Sequence, residues 1–426
     1  MNCVECGQTV KKRNYMSKPG FSLLDLTTVL GVTFVFALLS LQLIAVERQR
    51  ANNNKCRNKL RQIALSMNVF ADMDPKGRFS SGAPDYCRDG CPDTWGWIAD
   101  YVNSGLADAN GIYCDASRAK GGQYLNQVLA LKPGDQQVLS PGDRAKDGIC
   151  GSRLFPLTKT SGSAKTDFFS GTEDSSSQRS ELIARWFLDK SYNSNYTASW
   201  VLVRSQPRLE TNKGGFASPV RKGKLNFTTL QATYGPLTLR MMDAGYVPAS
   251  TIPFVGCGSE WEQAKTGFSH DSDRHGFFKN GKQKATSFFD KGDGLVATMT
   301  FGPIYWDPRQ ESVVLPNARD FDFANTVKEE SGAKAKKAES LRQDTRQWYA
   351  WHSVNGERFL NLAMGDGSVK SLQDLNGDGY LNPGFPVKKS KGMADRNRYT
   401  NEKSEVQAKD LFTGVFIYLP PKSRFE

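Results

Sequence analysis

The sequence predicts an α+β fold, with a long amino-terminal helix followed by a large body built on short strands. Three observations carry that expectation. The chain has a single long apolar run, from Phe21 to Val46. Directly after it, Cys56, Leu60, Ile63, Met67 and Phe70 recur at steps of four and three, which is one face of an α-helix. Farther on come short β-branched or aromatic runs bounded by Gly, Pro, Asn or Asp, among them LNFTTL, GLVATMTF, RFLNLAM, GSVKSL and GVFIYL, which read as strands.

Taken in chain order, residues 1–20 form a basic leader in which Lys11, Lys12, Arg13 and Lys18 outnumber Glu5. Residues 21–46 would make a helix of about 39 Å, enough to cross a hydrocarbon core of about 30 Å. With the cations ahead of it, the positive-inside rule places the leader in the cytoplasm and the body outside. The run continues without a small-residue cleavage site into the amphipathic segment 47–75, so cleavage after the run is not expected. Residues 76–426 form the head, expected to have a core made by its terminal parts and a large insertion at about 115–345. Within that insertion, 159–180 reads as an exposed loop and 327–343 as a solvated helix or mobile arm.

Composition narrows the classes. A net charge of +12 is spread widely, with no basic stripe interleaved with aromatics, so nucleic acid is not an expected partner. Hydrophobic residues make up 38%, enough for a core. Cys3 and Cys6 in the leader are half of a zinc ribbon and lack further ligands. Beyond the apolar run, Cys56, Cys87, Cys91, Cys114, Cys150 and Cys257 are disulfide candidates if the head lies outside the cytoplasm, with their connectivity open.

Asp25 stands inside the apolar run, where a carboxylate is costly unless it lies near the interface or finds a partner. A cut between Gly20 and Phe21 would make Asp25 the fifth residue of a chain with a new cationic amino group. The stretch KPGFSLLDL resembles the class III signal of type IV pilins and type II secretion pseudopilins, with Asp where Glu is usual. The resemblance implies removal of the leader by a prepilin peptidase, methylation of the new terminus, and pairing of Asp25 with the amine of a neighbouring subunit. The segment from Cys56 to Ser81, Cys114 in GIYCDAS, and His352 followed by NLAMGDGSVK resemble a planctomycete-type group of pilin-like proteins. That group carries a domain of unknown function and a C-terminal His then Asp-Gly signature; the gap from His352 to Asp366 is longer here. The matching stretches cover residues 18–80 and roughly 350–426. They imply a pilin-like fold, its long helix membrane-spanning in the first half and packed on an antiparallel sheet in the second. They also imply a single-pass inner-membrane chain with a periplasmic or extracellular head. Its partners would be the inner membrane, the peptidase, and copies of itself or other pilin-like subunits.

Asp374, Asn376, Asp378, Tyr380 and Asn382 follow the spacing of a calcium loop, with Gly379 at its sharp turn. Phe385 stands where a bidentate Glu is usual, so the loop must borrow a carboxylate or bind weakly; an Asx-rich hairpin turn is the competing reading. Some pseudopilin heads to which the chain is similar use calcium in this way. Asp85, Asp89 and Asp93 around Cys87 and Cys91 are expected to be solvated, and His270 and His275 to lie in a polar loop. No nucleophile elbow, no phosphate loop and no defensible Cys/His pair is evident. The expectation is therefore a non-enzymatic subunit of a type IV pilus-like filament or a type II secretion pseudopilus. The alternative is a bitopic anchor that displays a binding or enzymatic head without polymerising.

Overall fold

The computed structural model describes residues 22–105, 112–151, 153–154, 166–167, 174–211, 217–219, 226–271, 285–315, 341–387 and 397–418. Cys3, Cys6, Gly20, Phe21 and His275, and the side chain of His270, lie outside the described residues. The chain divides into two compact units, Met1–Arg48 and Gln49–Glu426. One helix, α1, runs from Leu23 to Met73.

A reciprocal cap starts α1. The Ser22 hydroxyl accepts from the Asp25 N–H at 3.2 Å, and the Asp25 carboxylate accepts from the Ser22 N–H at 3.1 Å. In the second unit, Cys56, Leu60, Ile63, Ala64, Met67 and Ala71 are buried, while Arg57 and Arg61 between them are exposed. This is the stripe read from the sequence, with Phe70 half-buried at its end. Asp74 then turns the chain, taking the Arg78 guanidinium through two hydrogen bonds of 2.9 and 2.6 Å.

The central sheet of the second unit has five strands: β1 (Tyr196–Ala198), β2 (Pro253–Cys257), β3 (His352–Val354), β4 (Glu357–Met364) and β5 (Val369–Asp374). All pairings are antiparallel. β5 covers one edge of β4. Along the other edge β3 and β2 follow one another, with His352 opposite Phe359 and Gly256 opposite Leu362. β1 lies outside β2, with Tyr196 opposite Cys257. Asn355 and Gly356 join β3 to β4 with φ of 55° and 86°, the left-handed pair that a two-residue hairpin turn requires.

This architecture corrects the expected fold class. Instead of one antiparallel head sheet with a self-contained insertion, the described strands form the five-stranded sheet and five small sheets of two or three strands. Residues within 115–345 supply β1 and β2, so that segment is woven into the central sheet. The described part of LNFTTL, residues 226–230, is not a strand, because the Asn226 side chain accepts the Thr228 N–H and turns the backbone. The described part of GVFIYL, residues 414–418, is not one either; its carbonyls at Phe416 and Ile417 accept from the Tyr246 hydroxyl and N–H.

The expected transmembrane span and single-pass inner-membrane placement are corrected as well. Among the described residues, no helix is long and apolar enough to cross a membrane. Asp25 puts a carboxylate in the first turn of α1. Past Val46 the helix carries Glu47, Arg48, Arg50, Lys55 and Arg57.

Asp85 and Asp89 also depart from expectation, since both are fully buried. The Asp89 carboxylate takes both Arg204 Nη atoms at 3.0 and 2.6 Å, and Arg204, itself fully buried, donates through Nε to the Thr228 carbonyl at 2.6 Å. Asp85 binds Arg88 at 2.6 Å and accepts from the Thr298 hydroxyl at 3.0 Å. Removing one partner strands the other in the core. Asp89→Ala is expected to lower unfolding stability by about 3–5 kcal/mol in a urea titration at neutral pH. Asp143→Ala, which removes an exposed pair with Lys146, should leave the midpoint in place.

Candidate metal centre

The sheet topology creates the site. Cys257 ends β2 and His352 begins β3, and because the two strands share one edge of β4, thiol and imidazole meet with Sγ 3.5 Å from Nε2. Cys56, on the buried stripe of α1, brings its Sγ to 3.4 Å from that of Cys257. The Tyr196 hydroxyl donates to Cys56 Sγ at 3.4 Å.

Cys114 comes from an irregular segment that a single side chain holds in place. Asn195 Oδ1 accepts the Cys114 N–H at 2.7 Å, while its Nδ2 donates to the carbonyls of Cys114 at 3.0 Å and Ala119 at 2.9 Å. Cys114 Sγ then lies 3.3 Å from His352 Nε2 and 3.7 Å from Cys257 Sγ. All four ligand atoms fall within 4.8 Å of one another. No residue of the four is more than 2% exposed, and His352 Nδ1 has no hydrogen-bond partner.

Burial acts on these thiols unequally. It pushes Cys257 well above the ordinary thiol range. At Cys56 the burial effect is outweighed by contacts from Cys114, Cys257 and His352, and the thiol is held low. Three thiols and an imidazole are a soft donor set of the kind that holds transition metals.

Sequence reasoning named Cys56, Cys114 and Cys257 only as disulfide candidates; here they are free cysteines of one cluster. Cys91 and Cys150 form a disulfide, with Cα atoms 5.9 Å apart. Cys87 is free and half-buried, its pKa pushed up to about 12 by burial and then by Asp85. His352 is the residue that sequence reasoning left out of the chemistry, although Cys56, Cys114 and His352 each stood in a quoted motif. A cleft of about 540 Å³ is lined by Arg118, Glu260, Tyr349, Trp351, Ser353 and Tyr380, of which Trp351 and Ser353 flank His352 in sequence.

The oxygen-rich loop is a separate construction. Asp374 accepts from the N–H groups of Gly377 and Gly379, Asn376 from Asp378, Asp378 from Tyr380 and Thr400, and Asn382 from Gly384 and Phe385. Phe385 is a core residue. Glu405 joins the loop instead, accepting from the N–H of Leu375 at 3.0 Å and of Asn382 at 2.9 Å. Among the described residues, only the sulfur and imidazole cluster brings three or more His, Cys, Asp or Glu ligand atoms within 4.8 Å.

No family model matches the chain, and no curated protein or solved structure matches it.

Burial, and then the charges of Asp378 and Asp374, push Glu405 up to about 7. The folded chain thus binds this proton more tightly than the unfolded chain, so the contribution of Glu405 to stability is fully present below about pH 4.3 and is lost as pH rises through about 7. Glu405→Gln is expected to flatten that decline in urea midpoints measured across the interval. An equal decline in both proteins would remove Glu405 as its source.

Proposed function

We propose that the chain is a structural, non-catalytic subunit of a type IV pilus-like filament or secretion pseudopilus, cut at Gly20/Phe21, whose α1 packs against the α1 of neighbouring copies. One observation carries the reading. Leu23, Leu24, Leu26, Leu30, Val32 and Phe34 on a single helix are 53–82% exposed, an apolar density that surfaces of monomers rarely carry.

The polar atoms of this stretch support the same reading, since they are satisfied within the helix. Thr27, Thr28 and Thr33 donate to carbonyls three or four residues back, at 2.8–3.0 Å. A neighbouring helix thus meets hydrocarbon with no unpaired hydroxyl. A Cβ built at Gly31 would have no atom within 4 Å, which leaves room for close approach of a second backbone. Asp25, the one charge between Leu23 and Phe36, has two tasks in this reading: it caps α1 locally and pairs with a neighbour's amine in the assembly.

Calcium at the loop of Asp374, Asn376, Asp378, Tyr380 and Asn382 is a second element of the proposal. The residues are oxygen donors of the kind a hard cation takes, and the Glu405 carboxylate, which accepts from the loop N–H groups of Leu375 and Asn382, is the one the loop would borrow in place of Phe385. The ion would lock the loop to the segment bearing Glu405.

Asp25→Asn separates the two tasks, since the amide keeps an oxygen for the Ser22 N–H and loses the charge. Helix content by circular dichroism is expected to stay unchanged while incorporation into filaments falls at least about tenfold, the loss of one ion pair of about 1.4 kcal/mol or more. Undiminished incorporation contradicts the intersubunit pair. Millimolar calcium is expected to raise the Tm of the native chain and to leave that of Glu405→Gln nearly unmoved; no rise in the native chain contradicts the calcium element.

A further inference from the structure

The geometry points to a structural zinc ion held by Cys56, Cys114, Cys257 and His352. A tetrahedral zinc with Zn–S near 2.3 Å and Zn–N near 2.0 Å has S···S edges of about 3.8 Å and S···N edges of about 3.5 Å. Of the six separations, two S···S are 3.4 and 3.7 Å and two S···N are 3.3 and 3.5 Å, and the pairs of Cys56 with Cys114 and with His352 lie within 4.8 Å. Donors spaced close to the edge lengths of a coordination tetrahedron are more specific than a mere gathering of cysteines.

Donor type and burial select among metals and roles. Thiolate and imidazole exclude calcium and magnesium, which take oxygen ligands. Four protein ligands leave no open coordination position, and with none more than 2% exposed the site is closed, as structural zinc sites are and catalytic ones are not. A disulfide between Cys56 and Cys257 is the competing chemistry at 3.4 Å, and it would leave Cys114 and His352 buried beside it with only each other as partners and His352 Nδ1 with none.

Binding releases three thiol protons to solvent, and three thiolates, a neutral imidazole and the dication leave one net negative charge. The Tyr196 hydroxyl, donating to Cys56 Sγ, is placed to temper it. The ion ties α1, the Cys114 segment, β2 and β3 into one crosslink across sequence separations of 201 and 238 residues. This inference is independent of assembly and of the oxygen-rich loop.

The test uses the full chain purified under reducing conditions with zinc present and then freed of loose metal. Elemental analysis is expected to find about one zinc per chain, falling to near zero in Cys114→Ser and His352→Ala and unchanged in Cys87→Ala. Because the first two variants remove core ligands and can fail to fold, cobalt exchanged into the native chain gives a second readout. Intense thiolate-to-cobalt charge-transfer bands with tetrahedral d–d bands support the site. A native chain with substoichiometric metal and no such bands, or a Cys56–Cys257 disulfide in its peptide map, overturns it.

Discussion

Three thiols and one imidazole share a space closed to water, and the long-range organisation of the second unit meets there. Cys56 fixes one face of α1 toward that point, Cys257 and His352 fix the abutting ends of β2 and β3, and Asn195 holds the Cys114 segment in register with β1. Polar groups in such a place are tolerated only when each has a partner. A shared cation is the partner that satisfies all four together, and so one ion accounts for the convergence of four segments distant in sequence.

The rest of the unit obeys the same rule by other means. Asp89 and Arg204 neutralise one another in the core with two hydrogen bonds, and Asp85 does the same with Arg88 and Thr298. The Cys91–Cys150 disulfide ties the loop around Cys91 to the 3-10 turn Gly148–Gly151. In the first unit the balance is reversed: polar groups are satisfied within α1 while the hydrocarbon is exposed, which is the condition that favours association through that helix.

Elements fixed by local periodicity were legible in the sequence. The stripe from Cys56 to Met67 is the buried face of α1, and RFLNLAM and GSVKSL lie in β4 and β5. LNFTTL and GVFIYL have the same composition yet are not strands, because an Asn side chain and a distant tyrosine take the backbone groups that a ladder would use. Membrane crossing was read from apolar length and from the resemblance, and among the described residues no helix is long and apolar enough for it. The metal centre was hidden for a different reason. Its four ligands come from a helix, an irregular segment and two strands, and only the tandem placement of β2 and β3 on β4 brings Cys257 to His352. The partner of the oxygen-rich loop was anticipated as a borrowed carboxylate, but the contact with Glu405 is tertiary and no spacing encodes it.

X-ray absorption at the zinc edge of the purified native chain tests the central claim most directly, because it reads the ligand shell rather than the amount of metal. The account predicts a four-coordinate shell of three sulfurs at about 2.3 Å and one imidazole nitrogen at about 2.0 Å. A shell of oxygen and nitrogen alone, or one with fewer than three sulfurs, would contradict it.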